Sequence, residues 1–165
     1  MRTAKVANIH ASSVLVGRAA ASFGSRNDAG VLVMGRSGAG KSDLALRLIE
    51  RGAILVSDDR TELLLHRGTM IARPPAAIRG LLEVRSVGIL AVPFAPKARV
   101  ALVVALDGSR ARLPEREFWR APWDLPVPVP LLRLAAFDPS APAKVLLAVA
   151  AFERNLFRDD AGART

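Results

Sequence analysis

A glycine-rich segment that ends in a lysine and a serine is the clearest chemical signal in the sequence. It fits the pattern G-x-x-x-x-G-K-[ST] and consists of Gly35, Arg36, Ser37, Gly38, Ala39, Gly40, Lys41 and Ser42. Glycines let successive backbone N–H groups turn towards one anion. The lysine brings a positive charge to the β- and γ-phosphates, and the serine hydroxyl is typical of a Mg²⁺ contact. The motif therefore predicts that a nucleoside triphosphate binds here together with Mg²⁺.

Two adjacent carboxylates, Asp58 and Asp59, follow the phosphate loop along the chain. They end the apolar run Ala53–Val56, which predicts a strand beside the strand that enters the loop, with its tip near the metal. One carboxylate could hold Mg²⁺ through water, and the other could accept a proton from an attacking hydroxyl. The alternative is a solvated turn, since Ser-Asp-Asp-Arg is also turn chemistry.

Regular elements are predicted on both sides of the loop. The apolar run Gly30–Gly35 predicts a buried strand, and Lys41–Arg51 predicts an amphipathic helix that Gly52 ends. The other predicted strands are Val14–Val16, a hairpin of Thr61–Arg67 and Thr69–Ala72, and Arg99–Leu106. Leu81–Val84 and Gly88–Val92 are predicted to be short strands or turns, and a second helix is predicted over Ala141–Phe157. Four prolines argue against regular structure over Pro122–Pro130. The pattern indicates a mixed α/β domain around one phosphate-binding unit.

The composition excludes several classes of function. The chain has no cysteine and two histidines, which excludes disulfides, thiolate nucleophiles and cysteine-bound zinc. The formal net charge is +9, but the arginines are scattered and aromatic residues are few, so we expect no nucleic-acid partner. No apolar run is long enough to span a membrane and no signal peptide is recognisable, so we expect a cytoplasmic protein without a membrane partner.

Two segments together resemble a known family. The phosphate loop with its helix and the following Leu55–Arg60 are similar to the catalytic core of HPr kinase/phosphorylase. The segment Arg73–Ile89 is similar to that family's signature, which other P-loop kinases do not share. The resemblance extends from about Ile9 to about Pro114 and is greatest to the short proteobacterial form without a separate N-terminal domain. It implies a P-loop kinase-like α/β domain over residues 1–157, and residues 158–165 are expected to form a disordered tail.

The resemblance also implies an activity and partners. It predicts an ATP-dependent, Mg²⁺-dependent serine kinase whose substrate is HPr, the small phosphocarrier protein of a phosphotransferase system. Members of the family can also reverse the reaction by phosphorolysis, and they assemble as hexamers. We therefore expect an HPr-type phosphocarrier as the protein partner and a homo-oligomer, by resemblance a hexamer.

Individual site residues follow from the same resemblance. Lys41 and the loop are implied to bind the phosphates, and Ser42 and Glu83 to contact Mg²⁺. Asp59 is implied to accept the proton of the target serine, which is chemically sensible because a serine hydroxyl is a poor nucleophile at neutral pH without a base in hydrogen-bond reach. The other implied catalytic residues are His10 and Arg112.

The sequence departs from the family pattern at four places. The insert Arg18–Ala29 before the phosphate loop is expected to form a flexible loop, and Ser86 stands where a glycine is usual. Val92–Lys97 replaces a glycine-rich loop, so substrate docking is expected to differ. The Gly-Arg-Asn of a segment associated with dephosphorylation is missing, which leaves phosphorolysis an open question.

Two other functions remain compatible with the motifs. A P-loop kinase of a small metabolite could have this length, although the sequence has no clear arginine-rich lid and the signature segment would be unexplained. A non-catalytic ATP-binding sensor would also keep the phosphate loop. A GTPase is disfavoured because no Asn-Lys-x-Asp motif is present.

Overall fold

The computed structural model describes residues 5–121 and 128–158. In this part of the chain the strands are β1 (Val6–Ile9), β2 (Ala11–Leu15), β3 (Gly30–Met34), β4 (Ile54–Ser57), β5 (Thr61–His66), β6 (Thr69–Arg73), β7 (Leu81–Val84), β8 (Gly88–Ala91), β9 (Ala98–Leu106), β10 (Glu117–Trp119) and β11 (Val129–Leu134). The α-helices are α1 (Lys41–Glu50) and α2 (Ala141–Arg154). A second, small sheet is formed by β7 and β8 alone.

The main sheet is mixed, as the sequence predicts. Its strands lie in the order β1-β5-β6-β9-β3-β2-β4, and β11 pairs with β9 and β10. The central strand β9 is parallel to β3 and to β11, whereas the other pairs are antiparallel. The carboxyl ends of β3, β9 and β11 therefore share one edge, where the phosphate loop begins.

The strand that enters the phosphate loop is buried on both faces. Val31 and Val33 pack into the core under the helices, and Leu32 packs into the core on the opposite face. This division follows from the two-residue period of a strand. It explains why the run is continuously apolar although one of its neighbours, β2, is antiparallel.

The two helices cover one face of the sheet. α1 buries Leu44, Ala45 and Leu48 at helical spacing against that face. α2 ends at Arg154 because Asn155 adopts a left-handed conformation with φ of +51°. The predicted continuation of this helix to Phe157 is therefore wrong by three residues.

The position of β4, the strand that precedes Asp58 and Asp59, differs from the prediction. β4 does not lie beside β3, because β2 lies between them and pairs with both. The predicted strand Val14–Val16 overlaps the end of β2, which begins at Ala11 and ends at Leu15, one residue earlier than predicted. Ser12 and Ser13 are fully or almost fully buried in it, and these serines hide the apolar signal that a central strand normally has.

The prediction that Pro122–Pro130 forms no regular structure is wrong at its C-terminal end. Pro130 lies inside β11, whereas residues 122–127 lie outside the described part. The parallel pairing of β11 with β9 runs from Leu131, and Pro130 stands opposite Phe118 of the short strand β10. A proline is tolerated there because it occupies the start of the strand, where a missing N–H matters least. The expected tail falls outside the described residues apart from Arg158.

The insert before the phosphate loop is attached to α2. It contains a 3-10 turn over Ala21–Phe23, and Glu153 accepts hydrogen bonds from Ser25 Oγ at 2.5 Å and from the backbone N–H of Arg26 at 2.8 Å. These two bonds, that of Ser25 first, lower the pKa of Glu153. The expectation of a flexible loop therefore does not match its contacts.

No helix in the described ranges has the length and apolar character needed to cross a membrane.

Candidate active site

The phosphate loop has the backbone geometry of an anion site. Gly38 and Gly40 have φ of +81° and +101°, which glycine adopts without steric cost. Lys41, only 5% exposed, donates from Nζ to the carbonyl oxygens of Gly35 and Arg36, both at 3.1 Å. The ammonium group is thus held over the loop, where it can interact with bound phosphate.

Asp58 connects three parts of the site. Its Oδ1 accepts hydrogen bonds from Ser42 Oγ at 2.6 Å and from Ser12 Oγ at 3.1 Å. Its Oδ2 accepts the backbone N–H of Glu83 at 3.1 Å. The carboxylate is 7% exposed, so these three donors replace the water that an ionised group needs. Asp58 therefore positions the loop serine and the strand that carries Glu83.

Asp59 lies in the open next to this buried neighbour. Its carboxylate is 58% exposed, and Oδ1 lies 2.6 Å from His10 Nε2 and 3.9 Å from Lys41 Nζ. Its backbone has φ of +62°, which asparagine and aspartate tolerate better than other side chains. The backbone N–H of Asp59 donates to Ser12 Oγ at 3.0 Å, which fixes this turn to β2. The structure therefore places the side chains of His10 and Lys41 beside the solvent-accessible carboxylate of Asp59.

A cavity of about 390 Å³ lies over the loop. Lys41, Ser42, Asp59 and Glu83 all line it. Glu83 reaches it from β7 of the small two-stranded sheet. The predicted phosphate, metal and proton-acceptor residues thus face one cavity, and His10 joins them through Asp59.

The donor set fits Mg²⁺. Ser42, Asp58 and Glu83 present oxygen atoms, which this cation prefers. Within residues 5–121 and 128–158 no group of three or more His, Cys, Asp or Glu side chains is placed to hold a metal alone. A magnesium ion that shares its shell with substrate phosphates needs only one or two carboxylates, so the arrangement suits a nucleotide-bound metal.

Arg112 is the predicted site residue that the structure leaves apart. It lines a second cleft, next to Arg110 and Lys144, and not the cavity over the loop. The predicted match rested on its Leu-Pro neighbours, and a short motif in a polar turn says nothing about the side of the sheet to which the turn folds. The described fold therefore gives Arg112 no contact with the phosphate site.

Three residues of the candidate site carry no recognisable signal in the sequence. Ser12 supports both aspartates, while Arg85 and Phe137 line the cavity. Ser12 lies two residues after His10, where only the pairing of β2 with β4 reveals its importance. Phe137 lies far from the loop in sequence and is brought there by β11.

Ser86, which stands where the family pattern has glycine, has φ of +71°. It lies in the turn between β7 and β8, where the Val87 N–H donates to the Val84 carbonyl at 3.0 Å. The conformation is the one in which glycine is favoured over serine. This turn closes the hairpin that carries Glu83.

Comparison with protein families agrees with this geometry. The model of the HPr Serine kinase C-terminal domain matches residues 20–107, which are more than half of the chain. The chain belongs to the HPr serine kinase family. The matched span includes the phosphate loop, both aspartates and Glu83 of this HPr serine kinase domain.

Curated relatives are similar over the same region. The HPr kinase/phosphorylase of Halalkalibacterium halodurans is 43% identical over 86 residues, which are 47% of this chain and 28% of that protein. The HPr kinase/phosphorylase of Caldicellulosiruptor bescii is 48% identical over 64 residues, 38% of this chain and 21% of that protein. That of Acidovorax sp. is 37% identical over 101 residues, 58% of this chain and 32% of that protein. The chain thus matches only between 21% and 32% of the length of these relatives.

A solved structure extends the likeness to the whole fold of this HPr serine kinase domain. The Hpr(Ser) kinase/phosphatase from Coxiella burnetii superposes with a TM-score of 0.63 at 22% sequence identity, covering 91% of this chain and 90% of that chain. At this identity the likeness concerns the fold, and it establishes the predicted P-loop kinase-like α/β architecture.

Proposed function

We propose that the chain is a cytoplasmic, ATP-dependent kinase that phosphorylates a serine of an HPr-type phosphocarrier protein. One observation carries the proposal: the exposed carboxylate of Asp59 lies 3.9 Å from Nζ of the phosphate-loop lysine. A base at this place lies beside the phosphate to be transferred and is open to a hydroxyl on another protein. Membership of the HPr serine kinase family supports the choice of acceptor.

The residues of the chain divide the work of transfer. The loop N–H groups and Lys41 bind the triphosphate. The positive charge of Lys41 stabilises the negative charge that develops on the phosphoryl group during transfer. Asp59 accepts a hydrogen bond from the serine hydroxyl and takes its proton as the oxygen attacks. Mg²⁺, when bound with the nucleotide, supplies charge neutralisation at the β- and γ-phosphate oxygens. Ser42 and Glu83 are the residues that would hold it, with Asp58 positioning both.

We assign to His10 the role of orienting Asp59, the proposed general base. Its Nε2 lies 2.6 Å from Asp59 Oδ1, which orients the carboxylate. In the reverse direction, Asp59 would return the proton to the oxygen of the target serine. Phosphorolysis is the second activity proposed for the site, and this pair is the feature that favours it.

Assembly is proposed by resemblance to the family. Val87 and Ile89 of the β7–β8 hairpin are 66% and 69% exposed. Apolar side chains exposed together are typical of surfaces that another chain covers. We propose that the chain forms a homo-oligomer, by resemblance a hexamer, and light scattering of the purified protein measures its mass directly.

Transfer of label from γ-labelled ATP with Mg²⁺ to a purified HPr-type carrier tests the function. Wild type should label the carrier on serine, and Asp59→Asn should label it about 10²- to 10⁴-fold more slowly because a general base is lost. Asparagine tolerates the left-handed backbone at this position, so the variant keeps the turn. Asp28→Asn, at an exposed aspartate before β3, is the matched control and should label normally.

The outcomes separate the three candidate functions. Label on a small hydroxyl compound but not on the carrier would indicate a metabolite kinase. Tight ATP binding without transfer to any acceptor would indicate a sensor. Release of label as pyrophosphate after addition of inorganic phosphate to the labelled carrier would establish phosphorolysis.

A further inference from the structure

Phe137 places a solvent-exposed aromatic ring at the phosphate site. Its side chain is 68% exposed, yet it lines the cavity over the phosphate loop together with Gly38 and Lys41. The proposed phosphate and proton transfer steps make no use of it. A large exposed apolar ring inside a polar nucleotide cavity calls for a ligand with an apolar face.

The topology places this ring where the rest of a nucleotide would extend. Phe137 follows β11, which is parallel to β9 and, through it, to β3. Ligands of open α/β sheets bind outside the carboxyl ends of the parallel strands. The ring also touches the loop closely, since its Cζ would lie 2.9 Å from a Cβ placed on Gly40. Phe137 therefore stands directly beside the phosphates and not at a distant surface.

The backbone around Phe137 is held by a side chain of α1. Arg47 donates to the carbonyl oxygen of Ala136 and, from Nη1 at 3.2 Å, to that of Asp138. Asp43 holds the same guanidinium, with 2.8 Å between its Oδ2 and Arg47 Nη2. The carbonyls on both sides of Phe137 are thus fixed before any ligand arrives, and pre-ordered contacts lose less entropy on binding.

We propose that Phe137 is the stacking platform for the base of the bound nucleotide. The proposal rests on the proposed function, in which the loop binds a nucleoside triphosphate. Leu46 of α1 lines the same cavity and adds a second apolar contact. Stacking tolerates different bases, so ATP and GTP should both use the platform.

Calorimetric titration with Mg²⁺-ATP, Mg²⁺-GTP and inorganic tripolyphosphate tests the proposal, because tripolyphosphate has the phosphates without the base. Phe137→Ala should weaken binding of both nucleotides by about 5- to 150-fold, the range that alanine substitution of a stacking residue gives. Its affinity for tripolyphosphate should stay within about twofold of wild type. Phe137→Trp should restore nucleotide affinity because it keeps an aromatic face. Phe118→Ala, at a 52% exposed phenylalanine of β10, is the control and should bind all three ligands normally.

Two results would overturn the base platform. One is equal weakening of nucleotides and tripolyphosphate by Phe137→Ala, because the ring would then only support the loop. The other is unchanged nucleotide affinity in Phe137→Ala. Failure of the wild-type protein to bind either nucleotide or tripolyphosphate would instead overturn the proposed function, and the base platform with it.

Discussion

Ser42 Oγ donates a hydrogen bond to Asp58 Oδ1 across 2.6 Å, and this contact joins the phosphate loop to the end of β4. The strands that precede these two residues, β3 and β4, are not neighbours in the sheet, since β2 lies between them. The hydroxyl keeps its lone pairs for a metal ion while its proton is held by the carboxylate. In the proposed magnesium site, Asp58 would therefore act first of all by orienting Ser42.

Replacement of Asp58 by alanine should destabilise the fold and weaken Mg²⁺-dependent nucleotide binding. The buried hydroxyl of Ser12, the hydroxyl of Ser42 and the N–H of Glu83 would lose their acceptor. Each buried group without a partner costs about 1–3 kcal/mol, so the free energy of unfolding should fall by at least about 2 kcal/mol. Urea unfolding measures this loss, and titration with ATP in the presence and absence of Mg²⁺ measures the second effect.

Asp58→Asn is the informative companion variant. It keeps an acceptor oxygen of the same shape and should recover part of the lost stability, while the missing charge should still weaken the Mg²⁺-dependent part of binding. An Asp58→Ala protein as stable as wild type in urea would contradict the role of Asp58 as the connecting residue.

A glycine at position 86 should stabilise the hairpin that carries Glu83. Ser86 has φ of +71°, and a side chain in the left-handed region costs about 1–2 kcal/mol. The larger chain entropy of glycine in the unfolded state offsets part of this gain. We expect Ser86→Gly to raise the free energy of unfolding by up to about 1 kcal/mol in urea denaturation.

The matched control is Arg85→Gly, in the same exposed turn but at a residue without positive φ. It should lower stability by about 0.5 kcal/mol because glycine there adds only entropy. A loss of stability in both variants would show that the conformation of Ser86 carries no strain.

Local signals in the sequence predict the phosphate loop, its flanking strand and helix, and the β5–β6 hairpin. Gly35–Ser42 is a contiguous motif with apolar neighbours, so its structure depends little on distant residues. Predictions that depend on pairing between distant segments were less successful. The insertion of β2 between β3 and β4 was not predicted, because Ser12 and Ser13 are buried in β2 and polar residues give no hydrophobic pattern.

In the candidate site, too, some residues were predictable from the sequence and others were not. Asp59, Glu83 and His10 come together as the family resemblance implies, and their roles remain predictions. Arg112 does not join them, because a polar turn carries no signal for the direction in which it folds. The place of Phe137 depends on β11, a strand that the prolines obscured in the sequence.

Acid should weaken the attachment of the insert to α2. Hydrogen bonds from Ser25 Oγ and the Arg26 N–H lower the pKa of Glu153 in the folded protein. A carboxylate with a lowered folded pKa adds stability that is present above its unfolded pKa, about 4.3, and lost as the pH falls through the folded value. Glu153→Gln should therefore lower the urea midpoint at pH 7, and its difference from wild type should shrink below about pH 4.

Glu50→Gln, at an exposed glutamate that ends α1, is the comparison variant for this series. It should follow the wild-type midpoint at both pH values. A constant difference between Glu153→Gln and wild type from pH 7 to pH 3 would mean that ionisation of Glu153 does not contribute, and the acid effect would then have another origin.

Ser12→Ala should slow transfer while leaving nucleotide binding intact. Ser12 Oγ donates to Asp58 Oδ1 and accepts the backbone N–H of Asp59, so it holds both aspartates at the tip of β4. Without it the left-handed turn at Asp59 loses its support, and the base is held less well against the acceptor hydroxyl. One lost hydrogen bond of about 1.4 kcal/mol in the transition state corresponds to about a tenfold lower kcat.

Ser13→Ala separates positioning from general damage to β2. Ser13 is also buried, but its Oγ pairs with Thr61 Oγ1 at 3.1 Å and touches neither aspartate. It should therefore lower stability by a similar amount and leave kcat for carrier phosphorylation within about twofold, while Ser12→Thr, which keeps the hydroxyl, should restore most of the rate. Equal losses of kcat in Ser12→Ala and Ser13→Ala would show that the strand matters only as a support. A loss confined to Ser12→Ala, with KM for ATP unchanged, would assign the orientation of the base to this hydroxyl, because substrate binding and protein stability would both be accounted for.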